Sequence, residues 1–345
     1  MSGESQATSQ SSVGPDDSLS AQLTIITVGL EKHYDYIRRQ LKLIDALNPG
    51  AACRFLVVDN APRDGPHLTL DDPRCVVLEG VDATPLPERG RGSYHHAAAI
   101  NLAMPHVRTR YVLVMDPDLF VVRPGWIDQC LDHMRRRGLA VFGVPWHSRW
   151  VRKWRDFPCV HFMLIDLHKA PIGQIDFTPA LVEDLDADSR PLSVWLKAHV
   201  PRLNNRILIG SRRDTGWRLR KRFGRGHRIE LALPVVDFDQ ELPKPPHLLT
   251  LEGRRLEHRL PRRWSYLPRP DQYVMAEDAP AFHGAPFKRL GPEKFMWRGE
   301  PFCFHLRRNA RDRIWGLADQ SLERDDLDLL LNQVSTGRPW TDWSF

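Results

Sequence analysis

The chemistry of this sequence is concentrated where an apolar run ends in two aspartates. Residues Tyr111–Met115 are apolar or aromatic, and Asp116, Pro117 and Asp118 follow them directly. Such a run predicts a short buried strand, and carboxylates at the end of a buried strand are costly unless something neutralises them. Pro117 restricts the backbone between the two carboxylates. A hard divalent cation would neutralise the pair, although a solvated Asp-Pro turn accounts for the same residues equally well.

Two earlier apolar runs also end in polar residues. A β-branched run that starts at Leu23 carries Thr27 near its end, and a second run, residues 54–58, leads into Asp59. Between these runs, residues 31–47 carry apolar side chains at helical spacing. The sequence therefore predicts a strand, a helix and a second strand ahead of the aspartate pair.

The order of all these elements predicts an α/β fold. A third strand is expected at residues 74–79 and a second helix at Tyr94–Met104, and this alternation is typical of a largely parallel sheet. Ligands of such sheets bind beyond the carboxyl ends of the strands. We therefore expect Thr27, Asp59 and Asp116 to face one crevice.

Composition and charge limit the function classes. The chain has 345 residues, of which 42% are hydrophobic and 27% charged, as in ordinary globular proteins. The net charge of +6 suits an anionic substrate or an anionic membrane surface. We expect no nucleic-acid partner, because the sequence contains no recognisable nucleic-acid motif and no long run of Lys or Arg.

Cysteine usage and the N-terminal stretch predict the compartment. The five cysteines are scattered and show no CxxC spacing, which indicates a reducing compartment and argues against structural zinc. The first twenty residues lack the apolar core of a signal peptide, and no run approaches the length of a membrane span. We expect a cytoplasmic protein, with peripheral contact at the inner face of the membrane left open.

Four segments, in this order and spacing, resemble the GT-A glycosyltransferases, most closely the inverting bacterial enzymes of family 2. They are Thr27-Val28-Gly29, Val57-Val58-Asp59-Asn60, the helix-opening residues 92–101 and Asp116-Pro117-Asp118. The resemblance covers residues 22–125 and is weak beyond them. It implies a GT-A fold, which is a Rossmann-like, mostly parallel sheet flanked by helices, here with an irregular Pro-rich C-terminal portion.

The resemblance also implies which residues bind the donor. The segments after the first two strands hold the base and ribose of a nucleotide, and here they contain Thr27, Val28, Asp59 and Asn60. The carboxylates of Asp116 and Asp118 bind Mg²⁺ or Mn²⁺, which bridges the diphosphate of a sugar nucleotide. A downstream histidine often supplies a third ligand, for which His305 is our choice and His283 the alternative.

Phosphate contacts are expected at the start of the second helix. Arg89 or Arg91, beside the glycines Gly90 and Gly92, would form charge-assisted hydrogen bonds to phosphate. An ordinary loop explains these residues as well, and the segment departs from the Asn-rich stretch that the family often has there. His95 and His96 follow, and we interpret both as first-turn helix residues rather than ligands.

An inverting transferase needs a general base for the acceptor hydroxyl. In the family this base is an acidic residue at the start of a helix behind the acceptor pocket, and Asp214 precedes Gly216 and a predicted helix. Asp214 would also serve as a helix N-cap, which is compatible with catalysis. The acidic cluster Glu183, Asp184 and Asp186 is the competing source of the base.

The sequence predicts four parts. Residues 1–20 are a polar, disordered tail, 21–122 the nucleotide-sugar-binding half and 123–310 the acceptor-side half with a Pro-rich wrap. Residues 311–345 are a helical appendage, whose helix Ser321–Val334 would dock on the domain or on a second subunit. In the acceptor-side half, a strand that runs back through the sheet is expected at His161–Asp166.

We therefore expect a metal-dependent inverting glycosyltransferase of the hexosyl or deoxyhexosyl class. It would transfer a sugar from a nucleotide-diphosphate sugar to a hydroxyl of a glycan, a lipid-linked glycan or a small molecule. The alternatives are a catalytically silent nucleotide-binding module and a nucleotidyltransferase. The second is disfavoured, because no Gly-rich phosphate loop follows the first strand. Association into a homo-oligomer is left open.

Overall fold

The computed structural model describes residues 18–88, 90–147, 153–182, 213–236, 272–279, 292–306 and 324–338. The strands in these ranges are β1 Leu23–Gly29, β2 Arg54–Asp59, β3 Cys75–Glu79, β4 Tyr111–Met115, β5 Leu119–Val121, β6 Val141–Gly143, β7 Phe162–Asp166, β8 Ile229–Leu231, β9 Leu233–Val236, β10 Val274–Met275, β11 Glu293–Trp297 and β12 Glu300–His305. The α-helices are α1 Tyr34–Leu47, α2 Arg91–Ala103, α3 Trp126–Arg137, α4 Trp217–Phe223 and α5 Arg324–Ser335.

A seven-stranded sheet forms the centre of the fold, with strand order β3-β2-β1-β4-β7-β6-β8. Strands β3, β2, β1 and β4 pair in parallel, as do β6 and β8. Only β7 runs against its neighbours β4 and β6 among the described strands. The predicted α/β fold, a mostly parallel sheet flanked by helices, is confirmed. The predicted returning strand is present as β7.

A second sheet, which we did not predict, joins the C-terminal strands to the centre. Its order is β10-β9-β11-β12-β5, and β12 pairs antiparallel with both β11 and β5. Strands β4 and β5 belong to different sheets, so the link Asp116–Asp118 is the point where the chain leaves one sheet for the other. Residues from both sheets therefore meet at the aspartate pair.

Helix α1 packs on the sheet through the stripe that its periodicity predicts, with Ile37, Leu41 and Ile44 buried. Asn48 ends the helix and ties it to α3, because its Nδ2 donates to the Ile44 carbonyl at 3.0 Å and its Oδ1 accepts from the Ile127 amide at 3.0 Å. Helix α1 is thus held in place by its packing on the sheet and by the hydrogen bond of Asn48 to α3.

Helix α5 docks on α1, which agrees with one of the two placements that we predicted for it. Val334 is fully buried, and Asp328 forms an ion pair with Arg39 of α1. No α-helix in the described ranges is long and apolar enough to cross a membrane.

Two predicted boundaries are wrong. Ser18–Ser20 are part of the described structure, since a short 3₁₀ helix spans Leu19–Gln22 and Ser20 is buried; residues 1–17 lie outside the described ranges. Helix α2 begins at Arg91 rather than Tyr94, because Gly90 adopts a left-handed φ of +80° that starts the helix early. Arg91 and Gly92 therefore lie in the first helical turn and not in a loop.

Candidate metal centre

The backbone of the aspartate link is held by hydrogen bonds from two directions. The Asp116 amide donates to the His161 carbonyl at 3.0 Å, which extends the pairing of β4 with β7 by one residue. Gln40 of α1 donates from Nε2 to the carbonyls of Asp116 at 2.7 Å and Leu119 at 2.5 Å. The position of the two carboxylates is thus fixed by α1 and β7.

The carboxylate of Asp116 is buried between two histidines. Its Oδ2 lies 2.5 Å from Nδ1 of His161, and its Oδ1 lies 3.5 Å from Nε2 of His96. Burial alone would raise the pKa of Asp116, but the charge and hydrogen bond of His161 and the charge of His96 outweigh it and hold that pKa well below its usual range. The Asp116 carboxylate is therefore ionised at neutral pH.

His305 reaches the same place from the second sheet. The pairing of β5 with β12 sets His305 opposite Leu119, and its Nε2 lies 3.2 Å from Asp118 Oδ1 and 3.9 Å from Asp116 Oδ2. Burial would lower the pKa of His305, but Asp118 and Glu293 raise it well above its usual value. The cross-strand pairing of β12 with β5 thus brings together the three predicted metal ligands.

Glu293 supports His305 from behind. The two residues are cross-strand partners in β11 and β12, and Nδ1 of His305 donates to Glu293 Oε2 at 3.1 Å. Glu293 is fully buried. With Nδ1 donating to a carboxylate, Nε2 is the ring atom that faces the aspartates, the arrangement typical of metal-bound histidine.

The cluster fits a divalent metal. Asp116, His161 and His305 each offer one ligand atom, and these atoms lie within 4.8 Å of one another. Asp116 Oδ1 and His161 Nε2 are buried and have no hydrogen-bond partner in the described part of the chain. Buried polar atoms without partners are rare and call for an explanation. A bound cation that takes carboxylate oxygen and imidazole nitrogen would satisfy them.

Two residues of this cluster, His161 and Glu293, were missed. His161 is the first residue of the predicted strand 161–166, and antiparallel pairing of that strand with β4 would set it opposite Asp116. That position was the available signal for His161. Glu293 carried none, since it opens an ordinary short strand. The alternative ligand His283 lies outside the described residues.

Thr27 and Asp59 lie at the carboxyl ends of the neighbouring strands β1 and β2. Thr27 is buried, and its Oγ1 has no hydrogen-bond partner within the described ranges. The oxygens of Asp59 accept hydrogen bonds from Tyr34 OH at 2.7 Å, His67 Nδ1 at 3.1 Å and the amides of Ala61 and Leu68 at 3.1 and 2.9 Å. Asp59 therefore holds the loop 60–68 in place, and its predicted contact with a nucleotide stays a prediction.

The other two residues predicted to bind the donor here are also engaged within the protein. Asn60 Oδ1 accepts from the Val81 amide at 3.3 Å, and its Nδ2 donates to the His95 carbonyl at 3.4 Å. Val28 is buried within β1. Donor binding by either residue stays a prediction.

The start of α2 faces the cluster with one of its two histidines. His95 turns away, with Nε2 at 2.8 Å from the Val81 carbonyl, whereas His96 lies beside Asp116. Both histidines are residues of α2, as we interpreted them, but they lie in its second turn, and the contact of His96 with Asp116 was not expected. Arg91 and Gly92 are exposed in the first turn, and Arg89 lies outside the described residues.

Asp214 is not the helix cap that we considered. Gly216, at a φ of +84°, is the N-cap residue of α4, and Asp214 lies two residues before it. Its Oδ1 accepts from the Thr215 amide at 2.8 Å, and its Oδ2 forms a partly buried ion pair with Nζ of Lys153. The competing acidic residues Glu183, Asp184 and Asp186 lie outside the described ranges.

Asp214 is connected to the metal cluster through two side chains. Nζ of Lys153 lies 4.1 Å from the centre of the Trp146 ring, and that ring packs edge-on against His161 at 4.8 Å. The next residue, Thr215, donates from Oγ1 to the Ser93 carbonyl in the first turn of α2 at 3.1 Å. Asp214 is therefore separated from His161 of the cluster by the side chains of Lys153 and Trp146.

No family model matches the sequence, and neither does any curated protein. Among solved structures, the mannosyltransferase PcManGT from Pyrobaculum calidifontis, in complex with GDP-Man and Mn²⁺, is 16% identical, with a TM-score of 0.32 over 44% of this chain and 46% of that one. An active-site mutant of LgtC is 13% identical, with a TM-score of 0.35 over 61% and 72%. The glycosyltransferase GlyE from Streptococcus pneumoniae is 11% identical, with a TM-score of 0.32 over 60% and 44%.

All three TM-scores lie below 0.5, so these matches carry no argument about the fold of this chain. The chain matches less than half the length of PcManGT and of GlyE. At these identities and TM-scores the neighbours carry no argument about activity. The proposal below therefore depends on the site itself.

Proposed function

We propose that the protein is a metal-dependent glycosyltransferase, which uses Mg²⁺ or Mn²⁺ to transfer a sugar from a nucleotide-diphosphate sugar to a hydroxyl acceptor. One observation carries the proposal. Asp116, Asp118 and His305 converge at the carboxyl end of β4, and a buried oxygen of Asp116 has no hydrogen-bond partner among the described residues. An ionised, partly unsatisfied cluster at this edge of a parallel sheet suits a cation and the phosphates that it would bind.

Each group has a role that its position supports. The metal, held by Asp116, Asp118 and His305, would stabilise the charge of the diphosphate leaving group. Thr27 and the loop that Asp59 holds would form the wall for the nucleotide, since both lie at the adjacent strand ends. The exposed Arg91, in the first turn of α2, would contact phosphate.

Asp214 is the proposed general base of an inverting reaction. It would take the proton of the acceptor hydroxyl while that oxygen attacks the sugar carbon and the diphosphate leaves. The ion pair with Lys153 favours the charged carboxylate, as a base requires. An ion pair with a purely structural role would have the same geometry, and the Asp214 and Lys153 variants below distinguish the two roles.

Two alternative functions predict different behaviour. A silent nucleotide-binding module would keep the crevice and the metal cluster but would neither transfer nor hydrolyse the donor. A nucleotidyltransferase would also use paired carboxylates and a metal, but no Gly-rich phosphate loop follows β1 in the sequence. Thermal-shift screening against UDP, GDP, dTDP and CMP, with and without Mn²⁺, identifies the nucleotide before any activity is assayed.

The metal requirement is tested with Asp118→Asn. Because Asp118 would be a ligand, we expect this change to abolish metal-dependent turnover of the donor while the far-UV circular dichroism spectrum stays that of the wild type. The control is Asp132→Asn, an aspartate paired with Arg135 on the surface of α3, which should remain active. Wild-type turnover that persists in EDTA would contradict metal dependence, and no turnover of any donor would favour the silent module.

The base is tested with Asp214→Asn, which should lower kcat by about two to four orders of magnitude and leave donor affinity unchanged. Removing one partner of a largely buried pair also costs stability, up to about 3–5 kcal/mol, so turnover is measured well below the melting temperature. Asp156→Asn, which breaks the pair with Arg220, is the matched control.

Two further measurements separate catalysis from structure. In Lys153→Met the acid limb of the pH–rate profile should move to higher pH, because the cation that favours the charged carboxylate is gone. NMR of the product should show an inverted anomeric configuration. Wild-type turnover in Asp214→Asn together with a dead Asp184→Asn would assign the base to the acidic cluster.

A further inference from the structure

His161 contacts the cluster through one ring nitrogen, and its other ring nitrogen is buried and unsatisfied. It is buried before β7, its ring stacks on that of His305 with centroids 4.0 Å apart, and its Nδ1 lies 2.5 Å from Asp116 Oδ2. His161 Nε2 has no hydrogen-bond partner among the described residues, and the same holds for Asp116 Oδ1. Two unsatisfied polar atoms on touching buried side chains indicate that the pair binds a further group.

The surrounding ligand atoms indicate that the bound group is a metal ion. The ligand atoms of Asp116, His161 and His305 lie within 4.8 Å of one another, and Asp118 adds a second carboxylate 3.2 Å from His305. The set therefore offers two imidazoles beside its carboxylates. Imidazole nitrogen suits first-row transition metals, whereas Mg²⁺ prefers oxygen ligands and keeps several waters.

We propose that His161 is itself a metal ligand, so that Asp116, His161 and His305 bind a divalent transition metal more tightly than Mg²⁺ and bind it before any nucleotide arrives. This inference rests on the proposed metal-dependent function and extends it. Two aspartates alone hold a cation weakly until phosphate oxygens complete its coordination. Three convergent side-chain ligands form a site that is closed enough to keep the ion without the donor.

The competing explanation is that His161 only donates a hydrogen bond that orients Asp116. The variant His161→Asn separates the two roles, because an asparagine amide can donate from near the position of Nδ1 but has no imidazole nitrogen to bind a metal. Mn²⁺ affinity is measured by calorimetry on the full chain without nucleotide. We expect a loss of at least about tenfold, the lower end of losses seen for residues next to metal ligands.

The matched control is His168→Asn, an exposed histidine just beyond the end of β7, which should keep wild-type Mn²⁺ affinity. Unchanged affinity in a folded His161→Asn would overturn the proposal. If that variant does not fold, a measurement on the wild type alone tests the proposal. Pulsed EPR of the Mn²⁺-loaded wild type should show coupling to two imidazole nitrogens, and coupling to a single nitrogen contradicts the assignment.

Metal preference gives a third readout. The wild type should bind Co²⁺ and Mn²⁺ at least about tenfold more tightly than Mg²⁺, and His161→Asn should reduce that ratio. Equal affinity of the wild type for Mg²⁺ and Co²⁺ would count against the inference. The inference and the proposed function can fail separately. Sugar transfer by an enzyme whose metal is coupled to a single imidazole nitrogen would contradict the inference but support the function. A metal coupled to two imidazole nitrogens, without sugar transfer, would support the inference but contradict the function.

Discussion

Glu293 influences the proposed metal site although it is not itself a ligand. It is fully buried, and it accepts the hydrogen bond from Nδ1 of His305. Burial would raise the pKa of Glu293, but the hydrogen bond and charge of His305 hold it well below its usual range. A buried, charged carboxylate behind a histidine makes the opposite ring nitrogen a stronger donor to a metal.

We therefore predict that Glu293→Gln weakens Mn²⁺ binding. Glutamine can still accept from His305, so the ring keeps its orientation, but the negative charge that raises the basicity of Nε2 is lost. The expected loss is about 10- to 100-fold in affinity, measured by calorimetry. Glu300→Gln is the control, since Glu300 is exposed on the same hairpin and pairs with Arg123. Equal Mn²⁺ affinity in the two variants would show that Glu293 has no influence on the metal.

The sequence alone identified the candidate residues that stand next to a recognisable apolar run. Asp116 and Asp118 stand at the end of an apolar run, where buried charge is unexpected, and His305 follows another such run. His161, Glu293 and Lys153 have no local signal of that kind. The roles of His161 and Glu293 depend on pairing between distant strands, and that of Lys153 depends on an ion pair with the distant Asp214. Asp214 was identified as a candidate, but the ion pair that it forms with Lys153 was not visible in the sequence.

At the scale of elements, the loop 60–68 depends on the carboxylate of Asp59. Burial would raise the pKa of Asp59, but hydrogen bonds from Tyr34, Leu68, Ala61 and His67 outweigh it and lower the pKa. A carboxylate whose pKa is lowered in the folded state stabilises the protein above its unfolded pKa of about 3.9. That contribution is lost as the pH falls through the folded pKa.

Asp59→Asn should therefore cost about 1–3 kcal/mol of unfolding free energy at pH 7, and its stability should fall less steeply than that of the wild type below about pH 4. Urea unfolding at a series of pH values measures both effects. Asp64→Asn, an exposed residue in the same loop, should follow the wild-type curve. A parallel acid dependence of Asp59→Asn and wild type would show that this carboxylate does not govern the loop.

The strands of the first half were predicted one by one, whereas the pairing of the C-terminal strands into a second sheet was not, for a physical reason. Strands β1, β2 and β4 are runs of apolar and β-branched residues that can be recognised without knowledge of their partners. Strands β9 and β12 contain Pro234 and Pro301, and a proline inside a run argues against a strand. The register of β11 against β12 shifts at Phe295/Met296, next to the pairing of Met296 with Pro301. Such an irregularity accommodates the missing donor.

At the scale of the whole molecule, the cluster joins the two sheets, so a bound metal should stabilise the entire fold. A ligand that binds only the folded state stabilises it by about 2.7 kcal/mol at one hundred times its Kd. We predict that Mn²⁺ raises the melting temperature of the wild type and leaves that of Asp116→Asn unchanged. Differential scanning calorimetry at constant ionic strength measures this, with Asp132→Asn as the variant that should respond like the wild type. An equal shift in Asp116→Asn would place the ion elsewhere.

The pairing of β5 with β12 also has a consequence for synthesis on the ribosome. Strand β5 leaves the ribosome directly after β1 to β4 of the first sheet, whereas β12 follows only after most of the chain has been made. Domains tend to fold from the N-terminus as they emerge. Until then β5 lacks β12, the one strand with which it pairs in the described ranges, and Phe120 lacks the ring of Phe304 on which it stacks at 5.5 Å. An exposed apolar edge invites pairing with other chains. A nascent chain stalled before β12 should therefore aggregate more readily than the finished protein, and it should be unable to capture the metal.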